Sequence, residues 1–221
     1  MENLRDTLTS PVVLIGWFAA VGLTVAVVAH DLARKNRQLV GLMRFVWILT
    51  VFYSGPLGLA VYYYSGRSQI PRETLWRRGF RSTAHCYSGC GVGEIAGVLL
   101  VAGLLGLGNA WIAGVSFVLA YAGGFSLTAG PLIQEGVPAL RAFRDAFASE
   151  TASIVVMEAV AVGVDLALAR RATMGEPLFW SSLVVSLSVG FLAAYPVNVL
   201  LVHLGVKTGM HSPKEHPHGK H

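Results

Sequence analysis

The stretch His85-Cys86-Tyr87-Ser88-Gly89-Cys90-Gly91-Val92-Gly93-Glu94 brings together a histidine, a carboxylate and both cysteines of the chain. Cys86, Cys90 and Glu94 are spaced four apart, so on a helix they lie along one face. Thiolates beside an imidazole suit a soft or borderline cation, Cu(I) or Zn(II). The same thiols can instead form a redox couple. A continuous helix disfavours a disulfide between them, since a bridge needs alpha carbons typically about 4.4–6.8 Å apart with converging side chains. Packing explains these residues without any ligand. Cysteine is a common buried apolar residue, and Gly89, Gly93 and Gly97 form a small-residue stripe of the kind that lets helices approach closely. Glu94 weighs toward a ligand role, because it lies about 12 Å below Cys86 at the helical rise.

A second group occupies one sector of a later helix: Glu150, Met157, Glu158 and Asp165. Glu150 opens the helix, where the dipole favours a carboxylate, and Asp165 nears its far end. Glu158 has neither reason, and a charge at the centre of a membrane helix costs about 2.5–3.5 kcal/mol on insertion scales. The last apolar run adds Asn198 and His203. The candidate metal ligands are therefore His85, Cys86, Cys90, Glu94, Glu150, Met157, Glu158 and His203, with Asn198 completing the wall of one site between three helices. His203 taken alone also fits an interfacial histidine. Two buried carboxylates are tolerated by sharing a proton or binding a cation. The tail histidines His211, His216, His218 and His221 can capture metal or have no role.

These residues must be positioned by apolar helices. Of 221 residues, 54% are hydrophobic and 13% charged, with mean hydropathy +0.58. A soluble domain carries about 25% charged residues. The composition excludes an ordinary cytosolic enzyme and a disordered chain, and two cysteines exclude a disulfide scaffold. The expected fold is all-α, a polytopic membrane bundle of about six helices. The apolar runs are near Val12–Ala29, Phe45–Tyr64 (broken at Gly55-Pro56), Ala84–Leu107, Trp111–Thr128, Thr151–Ala169 and Leu178–Val206. Tyr195-Pro196 suggests a kink in the last. Leu140, Phe143 and Phe147 have helical spacing, read either as a surface helix or as an extension of the fifth span. The divisions are a two-helix region at 1–66, a basic cytoplasmic loop at 67–83, a four-helix core at 84–206 and a disordered tail at 207–221.

Lys and Arg counts orient such a chain. With six crossings, both termini and the loop before the third span are cytoplasmic, in the plasma membrane. The basic stretch Arg34-Lys35-Asn36-Arg37 then falls on the wrong side. A second span that dips in at Gly55-Pro56 and returns would put both basic loops on one face and the N-terminus opposite. The partners expected are the lipid bilayer, a metal ion (Cu or Zn) and a second copy through glycine-rich faces. The net charge of +5 needs no nucleic acid, since anionic lipid explains it.

Several features resemble a bacterial and archaeal family of integral membrane proteins of unknown function. They are Trp47, the Gly55-Pro56-Leu57 break ending in Gly66-Arg67, and His85-Cys86-x-x-Gly89-Cys90-x-x-Gly93-Glu94. The Ser153/Met157-Glu158 stretch and Tyr195-Pro196-x-Asn198 leading to Lys207-x-Gly209-Met210 belong to the same pattern. The likeness runs over nearly the whole chain. Glu94 stands where the family pattern has Asp, which keeps the carboxylate, and Ile48 where Pro often follows the Trp. The resemblance implies an architecture and no activity. Walker, dinucleotide and His-Glu-x-x-His motifs are absent, and no lysine lies within an apolar run to form a retinal Schiff base. The leading expectation is a membrane metal-handling protein. A membrane oxidoreductase and a structural or assembly protein are the alternatives, and the sequence leaves open whether the chain is an enzyme.

Overall fold

The structure is a computed structural model that describes residues 2–70, 72–169 and 172–208. The tail histidines and most of the expected disordered tail lie outside the described residues. Helices account for the fold, with no strand among the described residues. They are α1 (Glu2–Thr9), α2 (Pro11–Arg34), α3 (Gly41–Ser54), α4 (Pro56–Val61), α5 (Leu75–Val98), α6 (Asn109–Gln134), α7 (Ala139–Ala169) and α8 (Pro177–His203). Wide π-helical turns at Tyr62–Gly66 and Leu99–Leu104 extend α4 and α5. Five helices are long and apolar enough to cross a membrane: α2, α5 with its π turn, α6, α7 and α8. This is the all-α bundle expected of a membrane protein, with one crossing fewer than the six expected.

The difference lies in α3 and α4. Helix α3 has 14 residues, a rise of about 21 Å against a hydrocarbon core of about 30 Å. The chain then reverses at Gly55, whose φ of 53° suits a residue without a Cβ. It comes back to the level it left. Arg67 pairs with Asp31 at 3.0 Å, Tyr62 donates to the same carboxylate at 2.7 Å, and Ser68 donates to Asn36 at 2.9 Å. Asp31 and Asn36 flank the end of α2, so α3–α4 is a hairpin with both ends at that end of the bundle, the shape that the re-entrant alternative requires. At the opposite end of α2, Arg5 of α1 donates to the carbonyls of Ala167 and Leu168, and Ser181 donates to Leu8. The cationic Arg5 thus satisfies the orphan carbonyls where α7 ends.

Two boundaries also differ from expectation. Thr74 caps α5 by accepting from the Arg77 amide at 3.3 Å, so much of the stretch read as a basic loop is helical. Its charges depress hydropathy, yet Arg81 is buried, donating to Glu73 at 2.6 Å and to the Ser65 carbonyl at 3.1 Å. Helix α7 starts at Ala139 and runs unbroken, so the Leu140–Phe147 stretch extends that helix. Helix α8 continues through Pro196 as one element.

The core of the bundle is α5 surrounded by α3, α6, α7 and α8. Its face toward α6 is the glycine stripe. A Cβ on Gly89 would stand 2.7 Å from the alpha carbon of Gly124, and one on Gly93 would collide with the Leu119 carbonyl. The stripe is therefore used within the chain, letting two backbones touch. Trp47, Tyr62, Tyr87 and Phe191 fill the opposite side.

Two predictions follow from this geometry. Gly93→Leu forces α5 and α6 apart and is expected to cost at least about 1–3 kcal/mol, read as a lower apparent Tm in detergent; an unchanged Tm would refute the close approach. Reporter tags beside Thr7 and after Thr208 should report opposite sides of the membrane if the five long apolar helices are its crossings. The same side for both would restore the six-crossing arrangement.

Candidate functional site

Helix α8 ends in a turn that sends the chain back into the bundle. Gly205 takes φ 73°, and the amides of Val206 and Lys207 both donate to the Leu201 carbonyl at 3.0 and 3.1 Å. This left-handed cap is the ordinary way to end a helix at glycine. Its consequence is that Lys207 points inward and is only 4% exposed. Its ammonium donates to Glu150 Oε2 at 2.7 Å, Asn198 Oδ1 at 2.7 Å and Ser153 Oγ at 3.1 Å. Three donor hydrogens meet three acceptors.

The network spreads from α7 and α8 to α5 and α6. Ser82 of α5 donates to Asn198 Oδ1 at 3.1 Å, and Thr128 of α6 donates to Glu150 Oε1 at 3.0 Å. Asn198 uses its amide nitrogen on the Ala194 carbonyl at 3.0 Å. Ser153 Oγ donates to the Glu150 carbonyl at 3.0 Å and stands 3.8 Å from Cys86 Sγ. His85 is buried within electrostatic reach of Glu150 and Lys207, and its Nδ1 has no hydrogen-bond partner among the described residues.

One turn deeper stand the thiols. Cys86 Sγ and Cys90 Sγ are 4.0 Å apart, and both cysteines are free and fully buried. Glu158 of α7 is fully buried and lies within electrostatic reach of both. Cys90 is the thiol that faces its carboxylate, and neither carboxylate oxygen meets the geometry of a hydrogen bond among the described residues. Deeper again is Glu94, within electrostatic reach of Glu158 and Asp165. The buried groups thus descend from Lys207 to Asp165 between α5, α7 and α8.

The candidates from sequence divide accordingly. Cys86, Cys90 and Glu158 come together, with Glu94 next below. His85 and Glu150 belong to the network around Lys207, and Asn198 links that network to α5. Met157 is buried but turned toward Gly190 of α8. His203 is exposed and does not join the site, which corrects the expectation. Five residues beyond Asn198 is about 140° around the helix, so both cannot face inward. Among the described residues, no three His, Cys, Asp or Glu side chains already converge as a metal cage.

Lys207 is the residue that sequence reasoning missed. It follows the apolar run and counts as a loop charge there. The signal was Gly205 closing the helix, together with Lys207 in the family pattern.

Residues 75–207 match the family model described as Domain of unknown function (DUF4396). The chain belongs to that family. The matched segment opens on the first residue of α5 and closes on Lys207, so it contains every residue of the buried column. The re-entrant hairpin and α2 precede it. No curated protein and no solved structure matches the chain.

Removing the ammonium strands a buried carboxylate. Lys207→Ala should therefore destabilise by about 3–5 kcal/mol, and Lys207→Met combined with Glu150→Gln should recover most of that loss. Chemical denaturation in detergent measures both. A single variant as stable as the wild type would dissolve the pair.

Proposed function

We propose that this is a membrane cation-handling protein in which Cys86 and Cys90 hold a soft or borderline metal ion with Glu158 as the carboxylate ligand. The sulfur separation carries the reading. Two sulfurs sharing one ion at about 2.3 Å each stand about 3.8 Å apart at a tetrahedral angle and about 4.6 Å apart when collinear. The observed 4.0 Å lies within that interval, with no disulfide between the thiols. Glu158 supports it further, because a buried carboxylate that faces a thiol and has no cationic partner among the described residues is stabilised by a cation in its place. It reaches the ion by a side-chain rotation, since the cage is not preformed.

The Lys207–Glu150 pair lies over this site and excludes a second cation from the carboxylate it occupies. An ion leaving toward that end must meet Glu150 after Lys207 has let go. This separates a binding centre from a gate and favours transport over storage. The orientation we favour puts the gate in the cytoplasm of a cell whose plasma membrane holds the protein. Arg34, Lys35, Arg37, Arg67, Arg72, Arg77 and Arg78 all belong to that end of the bundle, with Arg5 at the other.

The test is metal content by mass spectrometry after loading with Zn2+ or Cu(I) and removing free ion, using protein purified without metal-affinity resin. Wild type should retain about one equivalent in the thiol site, and Cys86→Ser/Cys90→Ser should lose at least about tenfold in affinity, with Glu158→Gln intermediate. Equal retention by wild type and the double variant would sink the thiol site. Equal loss of stability without any metal difference would make helix packing the role of these cysteines.

A further inference from the structure

The column of buried groups does not end at the thiols. Below them, at the end of the bundle away from Lys207, Glu94 lines a cavity of about 30 Å³ together with Asp165, Ser116 and Asn109. This volume holds about two waters. Glu94 is 5% exposed and its Oε2 has no hydrogen-bond partner among the described residues; Ser116 is 4% exposed and its Oγ has none among them either. Asp165 accepts from Ser182 of α8 at 2.6 Å. The cavity adjoins a wider vestibule of about 420 Å³ between the α5–α6 and α7–α8 connections, sharing Asn109, Ile112 and Phe179 with it.

We infer that Glu94 and Asp165 form a second cation site, built only of oxygen ligands and reached from the face opposite Lys207, and that it takes a divalent borderline ion such as Zn2+. The charged groups facing Glu94 are Glu158 and Asp165, both acidic, and Tyr87 lies on its own helix. No cationic side chain lines the cavity among the described residues. Two carboxylates neutralise a divalent charge, and the serine hydroxyls and waters complete an oxygen shell. The vestibule admits an ion that is still hydrated.

The site stands on its own geometry. Its occupant rests on the thiol reading given above. A cargo that visits both a thiolate pair and an all-oxygen site must accept both ligand types. Zn2+ binds sulfur and carboxylate oxygen, the latter at about 2.0–2.2 Å. Cu(I) prefers thiolate and thioether sulfur. An oxygen site in series with the thiols therefore selects the divalent ion.

Equilibrium dialysis of the detergent-solubilised full chain with Zn2+ tests this. Wild type should bind about two equivalents, and Glu94→Gln/Asp165→Asn should keep only the thiol-dependent one. Cys86→Ser/Cys90→Ser should keep only the other. Cu(I) should bind at about one equivalent and be indifferent to the carboxylate variant. If the wild type binds a single Zn2+ that vanishes only with the cysteines, the oxygen site is refuted while the thiol site survives. A single Zn2+ lost only in the carboxylate variant would do the reverse. A measurement on wild type covers a misfolded variant: an apolar carbodiimide should modify Glu94 or Asp165, and Zn2+ should suppress the adduct at least tenfold. Modification unaffected by Zn2+ overturns the proposal.

Discussion

An ammonium group buried in a helical bundle must be neutralised and fully hydrogen-bonded, and this requirement governs the end of the molecule that carries Lys207. Its three acceptors come from α7 and α8, and through Asn198 and Thr128 the network reaches Ser82 on α5 and α6. No apolar contact could fix four helices in register with this directionality. Such a pair adds little net stability over an apolar replacement, because desolvation offsets its attraction. Its value is positional. It holds the fourth turn of α7 against the chain just beyond α8 and brings Ser153 over Cys86.

The glycine stripe and the polar residues share one broad face of α5, where Gly89, Gly93 and Gly97 are interleaved with Cys86, Cys90 and Glu94. At Gly89 and Gly93 the backbones of α5 and α6 touch. Between those contacts the small residues of α6 leave space for polar side chains: Cys90 Sγ packs against Gly124, and Glu94 lines a cavity with Ser116. Close backbone packing and the polar column are thus parts of the same seam. The column is also graded. Its hydrogen bonds are saturated at Lys207, sparse at the thiols and incomplete at Glu94 and Glu158. Groups without partners inside a protein are where a ligand has most to gain.

Much of this was legible in the sequence because membrane burial makes polar residues conspicuous. Cys86, Cys90, Glu94 and Glu158 stand out in apolar runs, and four-residue spacing aligns the first three. His203 failed because depth along a helix says nothing about angle around it. Lys207 escaped because it lies beyond the apolar run, where a basic residue normally meets lipid headgroups. The re-entrant hairpin was visible at Gly55-Pro56, yet choosing it over a crossing needed the Asp31–Arg67 pair. That contact joins residues far apart in sequence, and hydropathy carries no information about it. The start of α5 was hidden for a related reason, since Arg77, Arg78 and Arg81 look like a loop until Arg81 is seen to be buried.

The hairpin that stops short of the far face has a mechanical corollary. In the leaflet beside Asp31 and Arg67, seven segments occupy the membrane: α2, both arms of the hairpin, and α5 to α8. Toward the opposite face the hairpin ends, and only the five long helices continue. The molecule is thus a wedge, wider on the side that carries most of its arginines. A wedge of this sense fits lipids that splay in the broader leaflet and resists the opposite bend. The surrounding bilayer is under least stress when it curves so that the arginine-bearing face is convex.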